Sequence, residues 1–306
     1  MPAVVVKNLT KKYGDIVAVN TLNFSVEKGE LFGFIGPDGA GKTSLFRMLT
    51  TLLLPDDGEA SVNGLDVVKD YRKLRTQIGY MPGRFSLYQD LSVEENLKFF
   101  ASVFGTTVEE NYDLIKDIYV QIEPFKTRRA GKLSGGMKQK LALSCALIHK
   151  PEILFLDEPT TGVDAVSRKE FWEMLKRLQQ KEITIVVSTP YMDEAGLCDR
   201  IALIQNGNIL GIDTPKSIVK TFDRPLLAVK AQSTHELIVA LRKFPHTHSV
   251  YPFGEFLHYT DRRNRFSNDE IGNYLSEQNI KQVEMKLIEP NIEDCFMSLM
   301  ESHNNG

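Results

Sequence analysis

The chain has few cysteines, little net charge and no long apolar runs. Its three cysteines, Cys145, Cys198 and Cys295, are too far apart for a paired metal knuckle or a disulfide framework. Lysine and arginine number 37 against 40 aspartates and glutamates, and the net charge of -3 excludes a generally basic nucleic-acid coat. The longest apolar runs, such as ITIVV at 183–187, fall far short of the ~20 residues that cross a bilayer.

The N-terminal sequence MPAVVVKNLTKKYG has none of the features of a secretory signal peptide. Together with the scattered cysteines, this predicts a protein of the reducing cytoplasm. If such a chain works at a membrane, another protein must hold it there.

Strand-like and helix-like segments alternate over the first 220 residues, which predicts an α/β fold with a largely parallel core sheet. The pattern changes near residue 222, where TFDRP at 221–225 is interpreted as a linker. Beyond it the segments follow in the order βαββαβ, which predicts a small α+β ferredoxin-like domain with a terminal helix. The sequence therefore predicts two domains, 1–221 and 222–306.

Local signals mark several element boundaries in the first domain. Ser92 and Glu95 have the spacing of a capping box before the apolar run LKFFASVF. Ser134 has the position of a helix cap. Asn-Gly at 206–207 separates two apolar runs and predicts a hairpin turn.

A phosphate-binding loop is predicted at 36–43, which reads GPDGAGKT between the apolar strand LFGFI and a helix. Glycines allow backbone amides to turn toward phosphate oxygens, and the helix N-terminus adds a favourable dipole. Lys42 is expected to reach the β- and γ-phosphates of ATP, and the Thr43 hydroxyl is expected to bind Mg²⁺. The residues predicted to line this loop are Gly36, Pro37, Asp38, Gly39, Ala40, Gly41, Lys42, Thr43 and Ser44.

A pair of carboxylates, Asp157 and Glu158, ends the apolar strand ILFL. Ligands of open α/β sheets bind just outside such strand ends. We expect Asp157 to hold Mg²⁺ and Glu158 to polarise the attacking water as a general base, so that Glu158 and Lys42 are the predicted catalytic residues.

Between these motifs lies LSGGMKQ at 133–139, and LSGG before a basic, glutamine-containing helix resembles the signature of ABC ATPases. The resemblance covers residues 3–221 and implies an ABC-type P-loop ATPase domain with a helical subdomain. It implies that Tyr13 stacks on adenine and that 159–164 is the D-loop. The ending EPNIEDCF resembles the tail of drug-exporting ABC-2-type ATPases.

Ser134, Gly135 and Gly136 present a hydroxyl and bare amides at a helix N-terminus, which is a second anion site. It lies ~90 residues after the phosphate loop, so one chain does not readily close both around one ATP. The resemblance implies a head-to-tail dimer in which these residues bind the γ-phosphate held by the other chain.

Two positions depart from the family pattern. Gly83 stands where the family has the glutamine of the Q-loop, and Pro190 stands where it has the switch histidine. Proline has no side-chain or backbone donor. We therefore expect this chain's own site to bind ATP but to hydrolyse it slowly, since loss of one preorganised contact lowers rates about 10²- to 10³-fold.

The resemblance also implies partners. They are a transmembrane permease, which the chain powers from the inner face of the plasma membrane for drug or small-molecule export, and a second ABC ATPase. A heterodimer with a chain that keeps both missing residues is favoured, and a homodimer remains open. Phe85, Leu87, Tyr88 and Leu91 are candidates for a permease socket or for ordinary core packing.

Two other functions remain open at this point. The chain could be a soluble ABC protein acting on ribosomes or nucleic acid, although its single ATPase half and lack of positive charge favour no nucleic-acid partner. The losses at Gly83 and Pro190 also allow an ATP-sensing regulator that does not hydrolyse.

Overall fold

The computed structural model describes residues 1–304, and the chain divides into two compact units. The first unit is Met1–Pro215 and the second begins at Lys216. The helix Pro215–Lys220 lies at this division, whereas the sequence suggested a linker a few residues later, at 221–225.

In chain order the strands of the first unit are β1 (Val4–Tyr13), β2 (Ile16–Val26), β3 (Leu31–Ile35), β4 (Asp57–Val62), β5 (Leu65–Asp66), β6 (Ile78–Met81), β7 (Ile153–Asp157), β8 (Thr184–Thr189), β9 (Arg200–Gln205) and β10 (Asn208–Asp213). Its helices are α1 (Lys42–Leu49), α2 (Tyr71–Leu74), α3 (Val93–Val103), α4 (Tyr112–Tyr119), α5 (Gly135–Leu147) and α6 (Ala165–Gln180). Short 3-10 helices lie at Glu123–Phe125, Ala130–Lys132 and Met192–Leu197.

Six strands form the main sheet, in the order β10-β9-β3-β8-β7-β6. Neighbours run parallel except β9 and β10, which are joined by the predicted hairpin turn at Asn206 and Gly207. The predicted parallel core sheet is confirmed, with one antiparallel edge strand. Strands β3, β7 and β8 are buried along their whole length. Because they are parallel, the loops after them lie along one edge of the sheet.

A separate antiparallel sheet, in the order β2-β1-β4-β5, was not predicted. The strand-like patterns at 3–7 and 22–26 of the sequence fall at the start of β1 and the end of β2, two much longer strands that form a hairpin with several register shifts. The expectation of one sheet was therefore incomplete. Polar and apolar residues alternate irregularly at these shifts, so the strand pattern was visible only at the apolar ends.

A row of phenylalanines joins the two sheets through the core. Phe24 of β2 lies 5.0 Å from Phe34 of β3, ring centroid to centroid, and Phe34 lies 5.9 Å from Phe46 of α1. Phe46 in turn meets Phe155 of β7 edge-on at 6.0 Å. Three of these rings belong to β3, α1 and β7, which end or begin at the predicted site, so the row anchors α1 between β3 and β7.

The segment 83–133 contains α3 and α4 and reaches back to the start of α5. The predicted capping box is present, with the Ser92 side chain accepting from Glu95 N–H and the Glu95 carboxylate accepting from Ser92 N–H. Asn96 is fully buried, and its side chain bonds the backbone of Tyr88 in both directions at 3.0 Å. This residue holds the loop before α3 in one conformation.

In the second unit the strands are β11 (Leu226–Lys230), β12 (Thr247–Phe253), β13 (Phe256–Asp261) and β14 (Glu284–Ile288). The helices are α7 (Pro215–Lys220), α8 (Thr234–Lys243), α9 (Asn268–Glu277) and α10 (Ile292–Asn304). The sheet order is β12-β13-β11-β14, and all its neighbours run antiparallel. Its core combines Leu227, Leu241, Tyr259 and Ile271 from both layers. This βαββαβ order is the arrangement of a ferredoxin-like sandwich.

Candidate nucleotide-binding and catalytic site

The loop after β3 has the backbone of a phosphate cradle. A Cβ at Gly36 would lie 2.1 Å from the carbonyl oxygen of Ile204, and one at Gly41 would lie 2.1 Å from that of Ala18. Gly41 also has a φ of 101°, which side chains rarely tolerate. Both glycines are therefore required by the close approach of a neighbouring backbone carbonyl, and Gly41 also directly precedes the start of α1.

Lys42 is the first residue of α1 and is 3% exposed. Its Nζ donates to the carbonyl oxygens of Gly36 at 2.8 Å and Pro37 at 2.9 Å, across the curved loop. The same nitrogen lies 3.2 Å from Oε1 of Glu158. The ammonium is thus fixed at the centre of the loop and in contact with the predicted general base.

The start of α1 carries the remaining predicted loop residues. No side chain caps this helix, which leaves the amides of its first turn free of side-chain partners. Thr43 and Ser44 lie in that turn, and Ser44 Oγ is 3.3 Å from the hydroxyl of Tyr13. Tyr13 is 46% exposed, and Lys11 Nζ lies over its ring at 5.8 Å from the centroid.

The carboxylates after β7 differ in their surroundings. Asp157 is 2% exposed and accepts a 2.7 Å hydrogen bond from Ser188 Oγ. Glu158 N–H donates to Ser188 Oγ at 3.0 Å, while the Glu158 side chain points to Lys42. Burial, and then the charge of Asp157, raise the pKa of Tyr80 to about 12, so this neighbouring phenol stays neutral at physiological pH.

The glycine-rich segment before α5 is built against α6. Ser134 caps α5 as predicted, accepting from Met137 N–H at 3.4 Å. A Cβ on Gly136 would lie 2.8 Å from Ser167 Oγ. The neighbours of Ser134, Gly135 and Gly136 thus lie on α5 itself, on α6 and on the loop before α6.

The two departures from the family pattern lie next to the carboxylates. A Cβ at Gly83 would lie 3.0 Å from the backbone oxygen of Asp157, so a side chain here requires a local shift. Pro190 directly follows β8, whose last residue, Thr189, is fully buried.

Sequence patterns do not indicate a role for Glu194, which lies in the 3-10 helix after Pro190 and is 2% exposed. Its carboxylate accepts hydrogen bonds from the hydroxyls of Thr160 and Thr189. A single acidic residue in a short irregular segment has no periodicity or motif, so only the folded chain shows its partners.

An apolar groove of about 390 Å³ lies between the segment 81–87 and helices α3 and α5. Of the four predicted socket residues only Leu87 lines it, and Leu87 is itself buried. Tyr88 is half exposed and packs edge-on against Phe99 at 4.8 Å. His149 also lines the groove, and burial lowers its pKa, which favours the neutral ring. The groove is therefore uncharged along much of its wall.

Within residues 1–304, no helix combines the length and apolar character that a membrane-crossing segment needs.

Comparison with known proteins agrees with this geometry. Residues 19–161 match the ABC transporter family. The chain is 43% identical over 214 residues to the probable multidrug ABC transporter ATP-binding protein YbhF of Escherichia coli (strain K12), which covers 69% of this chain and 37% of YbhF. The present chain therefore spans little more than a third of the length of YbhF. It is 31% identical over 301 residues to the linearmycin resistance ATP-binding protein LnrL of Bacillus subtilis (strain 168), covering 96% of each.

Among solved structures, a dimeric ATP-binding cassette in a post-hydrolysis state with bound ADP and phosphate matches with a TM-score of 0.62 and 26% identity. That match covers 69% of this chain and 98% of the cassette. The fold and the loop geometry define an ATP-binding domain of the ABC type. The chain belongs to the ABC transporter family, among its ATP-binding proteins.

Proposed function

We propose that this chain binds and hydrolyses ATP at the edge formed by β3, β7 and β8. The observation that carries the proposal is the 3.2 Å contact between Lys42 Nζ and Glu158 Oε1, because it brings the phosphate-binding ammonium and the water-activating carboxylate together. The loop amides and Lys42 hold the phosphates, Tyr13 supports the adenine, and Glu158 accepts the proton of the attacking water.

The residues for Mg²⁺ are Thr43 and Asp157. Hydroxyl and carboxylate oxygens are the ligands this ion prefers, and Oδ1 of Asp157 accepts a hydrogen bond from Ser188. The bound ion supplies charge that offsets the phosphate oxygens. Asp157 is held rigidly by Ser188, so its own contribution is to fix the direction of that ligand oxygen.

We propose further that the chain works with a membrane permease in export. YbhF is named as a probable multidrug transporter protein and LnrL as a resistance protein, and LnrL matches nearly end to end. The groove of about 390 Å³ beside Leu87 offers a mostly apolar surface, with Arg75 on its wall, for a permease segment. Pro82, which lines the groove, directly precedes Gly83, and Gly83 lies beside the backbone of Asp157.

Two ATPase chains are proposed to act together, with Ser134–Gly136 of one facing the phosphate loop of the other. The dimeric cassette with ADP and phosphate supports this arrangement. Gly83 and Pro190 favour an unequal pair, in which this chain's glycine-rich segment completes a partner's active site. A homodimer with two slow sites is the alternative.

Glu158→Gln tests the proposed chemistry. The amide keeps the size of the side chain but cannot take a proton, so ATP turnover should fall about 10²- to 10⁴-fold while ATP binding is retained. Phosphate release and equilibrium binding of ATP are measured on the same preparations, and the exposed Glu109→Gln serves as the control. Equal turnover in the wild type and Glu158→Gln contradicts the role of Glu158. ATP binding without turnover in the wild type, at any protein concentration, is the result expected either of an unequal pair whose partner ATPase is missing or of a nucleotide sensor.

A further inference from the structure

A buried carboxylate connects two loops of the candidate site. Thr160 Oγ1 donates to Glu194 Oε1 at 2.9 Å and Thr189 Oγ1 donates to Oε2 at 2.5 Å. All three residues are at least 98% buried. A buried charge is costly unless it is paired and hydrogen-bonded. Loss of either hydrogen bond would leave the Glu194 carboxylate less well satisfied, and this cost stabilises the arrangement.

One side of this cluster reaches the phosphate loop. Thr189 is paired with Ile35 across β8 and β3, and its carbonyl oxygen accepts from Gly36 N–H at 3.3 Å. Gly36 is the first residue of the loop, and its own carbonyl oxygen accepts from Lys42. Two hydrogen bonds therefore separate Lys42 from Thr189.

The other side reaches the segment 159–164 before α6. Thr161 N–H donates to the carbonyl oxygen of Glu158 at 3.2 Å, and Val163 N–H donates to that of Thr160 at 3.3 Å. Asp164 then caps α6. The Thr160 hydroxyl is thus the side-chain anchor of a loop that runs from the proposed general base to a helix.

Arg168, in the first turns of α6, supplies the compensating charge. Its Nη2 donates to Asp193 Oδ2 at 2.8 Å, and its Nε lies 3.7 Å from Glu194 Oε1. The guanidinium also lies 4.4 Å above the ring of Tyr191. Residues 191–194 and α6 are consequently joined by charge, by stacking and by the shared carboxylate.

We propose that Glu194 is a positioning residue that couples nucleotide at the phosphate loop to the segment 159–164 and the start of α6. The proposal rests on ATP binding as proposed above. At position 190 this chain has a proline, so the polar connection from the end of β8 runs through Thr189 and Glu194 instead. The hydroxyls of Thr160 and Thr189 both donate to the Glu194 carboxylate. A shift of Thr189 when phosphate binds therefore changes the hydrogen bond between Glu194 and Thr160.

The single tryptophan of the chain provides a direct readout. Trp172 is 3% exposed and lies on α6 one turn after Arg168. Selective excitation of Trp172 in the full-length protein reports the state of α6 when Mg²⁺ and ATP are added. Binding of a fluorescent ATP analogue to the phosphate loop is measured separately.

Glu194→Gln and Thr160→Val each weaken the connection, and Thr160→Ser keeps the hydroxyl. We expect ATP to change Trp172 emission in the wild type and in Thr160→Ser, and most of that change at saturating ATP to be lost in the other two, because the connection from Thr189 to Thr160 is weakened. ATP affinity should change far less than the Trp172 response. Thr184→Val, which removes a buried hydroxyl at the other end of β8, should respond like the wild type.

The possible results distinguish a failure of the proposed function from a failure of the proposed coupling. Absence of ATP binding by the folded wild type contradicts the proposed function. ATP binding without a Trp172 response in the wild type overturns the coupling, as does a full response in both Glu194→Gln and Thr160→Val. A merely structural role predicts lower melting temperatures with the full response retained. If Glu194→Gln does not fold, the comparison of Thr160→Val with Thr160→Ser decides the question.

Discussion

Pro190 and Gly83 are the residues at which this chain departs from its family's pattern, and their surroundings make them unequal. Pro190 directly follows a buried strand end and is itself partly exposed. Gly83 faces the backbone of Asp157, so any side chain there competes with the position of a predicted Mg²⁺ ligand. The two losses should therefore not be repaired equally well by mutation.

Pro190→His should raise ATP turnover at saturating ATP about 10- to 100-fold, because an imidazole supplies the donor that proline lacks. Gly83→Gln alone should give no gain, since its Cβ at 3.0 Å forces a shift beside Asp157. Phosphate release by the wild type, both single variants and the double variant checks this. A larger gain from Gly83→Gln than from Pro190→His refutes the argument.

Sequence motifs predicted several individual site residues but missed Glu194. Lys42, Asp157 and Glu158 were predicted from motifs, and the structure brings Lys42 and Glu158 into contact at 3.2 Å. Glu194 could not be predicted, because its partners Thr160 and Thr189 lie 34 and five residues away and meet it only in the folded protein.

Among the elements, the contact between α5 and α6 depends on the absence of a side chain at Gly136. Gly136 faces Ser167 of α6 with room for a hydrogen only, while a Cβ on Gly135 would meet nothing closer than 3.5 Å. The two glycines of the same motif thus have different structural roles.

Gly136→Ala should lower the melting temperature of the chain, by an amount typical of an overpacked contact costing about 1–3 kcal/mol. Gly135→Ala should change it little, and Ser167→Ala added to Gly136→Ala should recover part of the loss because the nearest atom is gone. Thermal unfolding of the three variants is the measurement. A larger destabilisation by Gly135→Ala contradicts the packing argument.

Element types were predictable because the helices and buried strands have local signals, as the caps at Ser92 and Ser134 illustrate. The pairing of β1 with β4 was not, because it joins segments some fifty residues apart whose register depends on bulges. Sequence pattern thus identified the sheet that holds the site but missed the sheet that covers it.

For the whole molecule, the question is whether two copies of this chain can complete each other. A mixed dimer of Lys42→Ala and Ser134→Arg chains contains one site with an intact phosphate loop and an intact glycine-rich segment. If the chain forms a working homodimer, mixing the two inactive variants should restore about a quarter of wild-type turnover, as expected from random pairing of equal subunits.

Turnover is followed as the two variants are mixed at constant total concentration, with each variant alone as the control. No recovery, combined with ATP binding by the Ser134→Arg chain, favours a heterodimer. Recovery to ordinary enzyme rates shows instead that Gly83 and Pro190 do not limit this chain.

Glu158 has a backbone φ of 49°, a left-handed conformation that costs an ordinary residue about 1–2 kcal/mol. Asparagine adopts this conformation more easily, so Glu158→Asn should unfold at a higher temperature than Glu158→Gln, although neither carries the carboxylate. Selection for stability alone would therefore remove the glutamate from this position. Its presence there marks a compromise in which the protein accepts a less stable backbone in order to keep a chemically useful side chain.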